Sequence, residues 1–147
     1  MRDIIQLIED KTSSPVEQIK LPYARTALAP VMSSATIDLH YGKLYKGYVD
    51  RYNDRIGDRN FNEAGAYLHG IFFSQFRSPR SKAPHGKILD IINYHHSSFV
   101  DFKKHFKEEA MTVQGSGWVY LSKTGQIKTI KNHAKRSEEH TSELQSH

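Results

Sequence analysis

The sequence predicts an α+β fold, in which an N-terminal antiparallel helical hairpin is followed by further helices and an antiparallel β-sheet. Two successive residue patterns indicate this fold class. Apolar and aromatic residues recur every three or four positions in much of residues 33–110, whereas they alternate with polar residues between Met111 and His133. Helices therefore come first and strands last, without an internal repeat, which is the order of an α+β arrangement.

The hairpin is predicted from two long helices. The first begins after Ser33 or Ser34, either of which can cap it, and runs to about Tyr52. A turn is expected in residues 56–60, and the second helix in residues 62–76. Two long helices joined by a tight loop form an antiparallel pair.

Shorter elements are predicted before the hairpin. Residues 4–8 form a short apolar stretch, and the segment after them contains a capping signal, Ser14-Pro15 with Glu17 shortly after, so a small N-terminal helix is predicted. Residues 21–30 are bounded by prolines, so we expect an extended segment with one short turn.

The second half of the chain begins with a linker rich in proline and serine, residues 77–87. Helices are predicted over residues 88–94 and 98–110. Residues 111–133 then predict a β-hairpin that turns at Thr124-Gly125.

Composition narrows the class of protein. The 147 residues carry a formal charge of +5 and no cysteine, so a metal site would have to use nitrogen and oxygen ligands. Lysine and arginine are spread among acidic residues, which favours a solvated basic surface over a nucleic-acid interface. The positive net charge of such a surface would also attract a small anionic substrate. The sequence shows neither a signal peptide nor an apolar run long enough to span a membrane, so we expect a cytoplasmic protein.

The last twelve residues, RSEEHTSELQSH at 136–147, resemble the in-frame translation of a common sequencing adapter. They are polar and acidic and carry no periodic apolar face. We therefore expect this tail to be an artefact, and we do not consider His140 and His147 as ligands.

Each helix of the predicted hairpin carries a histidine within a series of residues spaced four apart, which stay near one helix face. The two series are His40, Leu44 and Tyr48 on the first helix, and Gly65, His69 and Phe73 on the second. Two helices of a hairpin can direct one imidazole each at a metal ion between them. By spacing alone, the alternative of hydrogen-bonded core histidines stays open.

Five consecutive segments resemble, in family order, the motifs of the iron/manganese superoxide dismutase family. They are LPYARTALAP, SSATIDLHYGKLYKGYVDRYN, NEAGAYLHGIFFSQF, FVDFKKHFKEEA and VQGSGWVYL. Each piece is common by itself, but the ordered combination is specific. The resemblance implies a helical hairpin domain followed by an α/β domain with a three-stranded antiparallel sheet.

The resemblance also implies roles for single residues. His40 and His69 match the first two metal ligands, and Tyr48 matches a tyrosine that lines the substrate gateway. Trp118 matches the tryptophan that walls the site. His133 resembles the residue that hydrogen-bonds metal-bound solvent and, with Tyr48, serves the proton network; the alternative for His133 is a surface histidine at the end of a strand.

Three positions depart from the usual family pattern. Leu44 replaces a gateway histidine, and Phe73 stands where tryptophan is usual. Gly65 occupies the position where many iron enzymes carry a glutamine. All three are expected to line the pocket, and the choice between iron and manganese as cofactor, one ion per subunit, stays open.

The family's third and fourth ligands lie in an Asp-x-Trp-x-x-His motif that this sequence does not contain. We therefore expect a C-terminally truncated fragment with little or no activity. The expected domains are an N-terminal extension (1–20), a helical hairpin domain (21–79), a partial C-terminal α/β domain (80–135) and the artefactual tail (136–147).

The function implied for the parent protein is dismutation of superoxide into dioxygen and hydrogen peroxide. We expect a cytoplasmic homodimer whose partner is superoxide, with neither nucleic acid nor membrane. Leu44 and Phe73 leave a second possibility, a non-catalytic structural relative with the same fold. A basic nucleic-acid module is a third class, which no recognition motif supports.

Overall fold

In the computed structural model, which describes residues 14–80 and 82–133, the chain divides into two compact units, with the boundary between Arg77 and Ser78. The first long helix of the first unit has three parts. They are α1 (Ser34–Leu39), a π-helical segment (His40–Tyr45) and α2 (Lys46–Asn53). The helix starts where the sequence predicts, because the Ser33 side chain accepts a hydrogen bond from the Thr36 backbone N–H at 3.1 Å.

The π-helical segment is a feature that the sequence pattern does not predict. Its backbone bonding is wider than that of an α-helix, since the Lys46 N–H donates to the carbonyl of Tyr41, five residues earlier. Residues five apart therefore share a face here. Tyr45 is 1% exposed, whereas Leu44, four residues after His40, is 50% exposed. The expected series of His40, Leu44 and Tyr48 along one face is thus interrupted by one extra residue.

Helix α3 (Arg59–Ser74) forms the second half of the hairpin and packs against α2. It starts three residues before the predicted Asn62, because the Asp58 carboxylate accepts a hydrogen bond from the Phe61 N–H at 2.7 Å and caps the helix there. Between these helices lies the core of the first unit. It consists of Leu28, Ile37, Tyr45, Val49, Ala66 and Phe73.

The predicted N-terminal helix is wrong for residues 14–20, which form no helix. The Asn53 side chain instead pairs with the backbone of Val16, accepting from its N–H and donating to its carbonyl, both at 2.8 Å. These bonds hold the segment against the end of α2 in place of helical hydrogen bonds. Residues 4–8 lie outside the described residues.

The second unit contains two helices and a β-hairpin. They are α4 (Lys87–His96), α5 (Phe99–Thr112), β1 (Gly117–Leu121) and β2 (Ile127–Lys131). The strands are antiparallel, with Trp118 opposite Ile130. Gly125 ends the turn with a φ of +85°, a conformation that glycine adopts without strain.

The α+β fold class is therefore confirmed, with the helical hairpin at the N-terminal side and the antiparallel strands after it. Of the helices in residues 14–80 and 82–133, none has the length and apolar character needed to span a bilayer.

Candidate metal centre

The helical hairpin brings His40 and His69 together. Their ring centres lie 5.0 Å apart, with the planes at 87°. Two imidazoles that bind one ion at about 2.0–2.1 Å per nitrogen have ring centres about 5–6 Å apart. The spacing therefore suits two ligands of one ion.

His69 is fixed by the backbone of its own helix. The ring is 4% exposed, and its Nδ1 lies 2.7 Å from the carbonyl oxygen of Gly65. Because a carbonyl only accepts, Nδ1 carries the proton, and the lone pair of the neutral ring is on Nε2. A ligand histidine is commonly oriented by such a bond from its other nitrogen.

His40 lies at the start of the π-helical segment and is half-buried. Burial lowers the pKa of its imidazole, so the ring is neutral at neutral pH and has a lone pair for a metal. Its ring lies 5.0 Å from that of Phe73 and 5.2 Å from that of Phe72. Phe73 is fully buried, and so it forms an apolar wall beside the imidazole.

Two tyrosines enclose the His69 ring. Tyr45 stacks on it with ring centres 5.8 Å apart and planes at 10°, and Tyr48 lies 5.2 Å away. The hydroxyl of Tyr45 accepts a hydrogen bond from the Ile19 N–H at 3.1 Å, and burial raises the pKa of this phenol. We did not predict Tyr45, because its place depends on the π-helical segment.

Tyr48 also contacts a cation. The guanidinium carbon of Arg51 lies 4.8 Å from the centre of the Tyr48 ring, and Arg51 Nε donates to the Asn62 side-chain oxygen at 3.2 Å. Asn62 is buried and donates in turn to the carbonyl of Ile56 at 2.8 Å. The Tyr48 ring therefore contacts both Arg51 and His69.

Gly65 leaves the space that the Tyr48 ring fills. A Cβ atom at position 65 would lie 2.5 Å from Tyr48 Cδ1, much closer than a normal contact. Gly65 thus supports the site in two ways: its carbonyl accepts a hydrogen bond from His69, and its lack of a side chain leaves room for the Tyr48 ring.

Replacing Gly65 by alanine is expected to destabilise the first unit by about 1–3 kcal/mol, because Tyr48 must move away from a packed position. Urea unfolding followed by circular dichroism measures the change. Gly42→Ala is the matched control, since a Cβ there meets nothing within 4 Å and alanine favours helix. Equal stability of the two variants would contradict this packing role.

In the second unit, Trp118 and His133 form a pair. Trp118 Nε1–H donates to His133 Nδ1 at 3.2 Å, and the ring centres are 5.9 Å apart. His133 is 7% exposed, so the alternative of a surface histidine is wrong. Burial lowers the pKa of His133, which leaves the ring neutral with its proton on Nε2.

A complete metal site is not present among residues 14–80 and 82–133, where no three histidine, aspartate or glutamate side chains are grouped to hold an ion. His40 and His69 lie close together, and the Gly65 carbonyl orients His69, so the pair fits two positions of a larger ligand set. Leu44 lies on the outer side of the π-helical segment, and its predicted place in the pocket stays a prediction.

Comparison with known proteins gives two family matches. Residues 16–62 match the model described as the alpha-hairpin domain of iron/manganese superoxide dismutases, and residues 84–146 match the one described as their C-terminal domain. The second match includes most of residues 136–147, for which the adapter origin stays a prediction.

Individual relatives agree with these matches. A superoxide dismutase (Mn/Fe) of Porphyromonas gingivalis is 41% identical over 124 residues, which cover 72% of this chain and 65% of the relative. A superoxide dismutase (Fe) of Bacteroides fragilis is 36% identical over 78% of this chain and 71% of its own length. A superoxide dismutase (Fe) of Sulfolobus acidocaldarius is 35% identical over 78% of this chain and 68% of its own length. The chain thus spans about two thirds of the length of these relatives.

Proposed function

Because the chain belongs to the iron/manganese superoxide dismutase family, we propose that its parent protein converts two superoxide ions and two protons into dioxygen and hydrogen peroxide. The observation that carries the proposal is the pair of His40 and His69. Their rings lie 5.0 Å apart on the two helices of the hairpin, with His69 buried and His40 half-buried.

His40 and His69 would hold an iron or manganese ion as two of its ligands. When bound, such an ion supplies the redox chemistry, by alternating between the +3 and +2 states. The protein around the pair supports this role through the Gly65 carbonyl, which fixes the His69 tautomer, and through Phe73, which covers His40.

Tyr48 and His133 are proposed to serve proton delivery. Tyr48 has a hydroxyl on a ring that lies against His69, and neutral His133, with its proton on Nε2, can donate a hydrogen bond. Trp118 donates to His133 and so orients it, and Gly65, Phe73 and Leu44 are proposed as pocket residues of the first unit. The formal charge of +5 favours an anionic substrate.

We also propose the location, oligomeric state and partners of the parent protein. It is a cytoplasmic homodimer that acts on superoxide and binds neither nucleic acid nor a membrane. A non-catalytic relative with the same fold is the second candidate. It is favoured by Leu44, which puts an apolar side chain with 50% exposure where the family carries a gateway histidine.

The test begins with the genomic sequence that surrounds the coding region, followed by expression of the whole product and measurement of metal content and dismutation. We expect one iron or manganese ion per subunit and catalytic turnover, and we expect His69→Ala to abolish both. A whole product that contains no Asp-x-Trp-x-x-His motif and does not dismute superoxide would favour the structural relative.

A further inference from the structure

The second unit contains an open pocket of about 310 Å³, between the end of α4, the middle of α5 and the turn of the β-hairpin. Three histidines and one glutamate contribute to its lining: His95, His96, His105 and Glu109. The proposed dismutase function uses none of these residues. Three imidazoles thus line one small pocket, which is typical of a ligand-binding site.

His96 is oriented as a ligand histidine is. Its Nε2 lies 2.7 Å from the carbonyl oxygen of Gly125 in the hairpin turn. Since the carbonyl can only accept, Nε2 carries the proton and the neutral ring has its lone pair on Nδ1. A backbone carbonyl on the second nitrogen is a common way to fix the tautomer of a metal-binding histidine.

His105 reaches the same pocket from α5. Its ring centre lies 5.8 Å from that of His96, within the range of about 5–6 Å expected for two imidazoles on one ion. Glu109 follows His105 by four residues, so it lies on the same face of α5, one turn later. The two helices therefore bring two imidazoles together in one pocket, whose lining also includes Glu109.

His95 has a different place in this pocket. A Cβ atom at position 125 would lie 2.2 Å from His95 Cδ2, so the ring of His95 rests directly on Gly125. Its ring centre is 6.4 Å from that of His96. His95 thus forms a wall of the pocket and holds the hairpin turn against α4.

We propose that this pocket binds a divalent transition-metal ion of the zinc, copper or nickel class, through the imidazoles of His96 and His105. Imidazole suits these ions. Within the described part of the chain no three such groups are placed to hold an ion, so the proposed site rests on the two imidazoles. The site is independent of His40 and His69 and does not rest on the dismutase proposal.

The test is a titration of the 147-residue chain with Zn²⁺, followed by NMR of the histidine side chains, each assigned by single substitution. We expect saturable shifts of the His96 and His105 resonances. His105→Ala should weaken the binding that these resonances report by about tenfold or more. His105 is exposed, so its replacement leaves the fold intact, which circular dichroism checks.

His85→Ala is the matched control, because His85 is also exposed but lies outside the pocket, and it should leave the affinity unchanged. His69→Ala should likewise leave the His96 and His105 shifts in place, which separates this site from the proposed metal centre. Zinc-dependent shifts confined to other histidines, or a His105→Ala chain that binds as tightly as the unchanged chain, would overturn the proposal.

Discussion

The 147-residue chain, incubated with iron or manganese, is expected to dismute superoxide at least about a thousand-fold more slowly than a complete relative assayed in parallel. The physical reason is coordination: two imidazoles without a carboxylate bind a redox ion weakly and leave its geometry undefined, and each missing interaction costs about ten- to a hundred-fold. The only tryptophan, Trp118, has Ser116 at the aspartate position and Leu121 at the histidine position, so the sequence contains no Asp-x-Trp-x-x-His motif.

Competition with cytochrome c for enzymatically generated superoxide measures the rate, and elemental analysis measures the bound metal. A chimera in which residues 136–147 are replaced by the corresponding C-terminal segment of the Porphyromonas gingivalis relative should gain activity. His69→Ala in that chimera should remove the activity again. Robust dismutation by the unaltered chain would refute the expectation.

Phe73→Ala is expected to have the largest effect on stability, a loss of about 3–5 kcal/mol in the free energy of unfolding. Phe73 is fully buried and contacts the rings of His40, Tyr41 and Phe72, so truncation leaves a cavity in the middle of the hairpin core. The cavity also borders His40, whose imidazole would lose an apolar wall.

Urea unfolding monitored by far-ultraviolet circular dichroism tests the loss. Leu39→Ala is the control, because Leu39 is 54% exposed and its truncation should cost no more than about 0.5 kcal/mol. If Phe73→Ala and Leu39→Ala were equally stable, Phe73 could not be the centre of this core.

Much of this fold could be predicted from the sequence because its signals are local. Ser33 and Ser98 cap helices at the expected places, and alternation in residues 111–133 predicts the hairpin. The predicted family is confirmed by matches to both of its domains, and the ordered motifs were sufficient for it. The helix expected at residues 14–20 failed because the side chain of Asn53, distant in sequence, bonds that backbone.

The site was harder to predict than the fold. The meeting of His40 and His69 follows from a hairpin of two helices, but the packing of Tyr45 on His69 depends on a local change of helical type that has no known signal in residue periodicity. The pocket of His96 and His105 joins two helices and a turn. The spacing of His105 and Glu109 by four residues was its one readable signal.

The π-helical segment divides the first long helix into two lengths whose angular phases differ. One residue more than an α-helix would use turns everything after it by about 100° around the axis. Through this offset Tyr45 and Val49 face the core on the same side as Ile37. Deleting one residue between His40 and Tyr45 would restore a regular helix and rotate Tyr48 away from His69, so the length of this segment is as much a part of the site as its side chains.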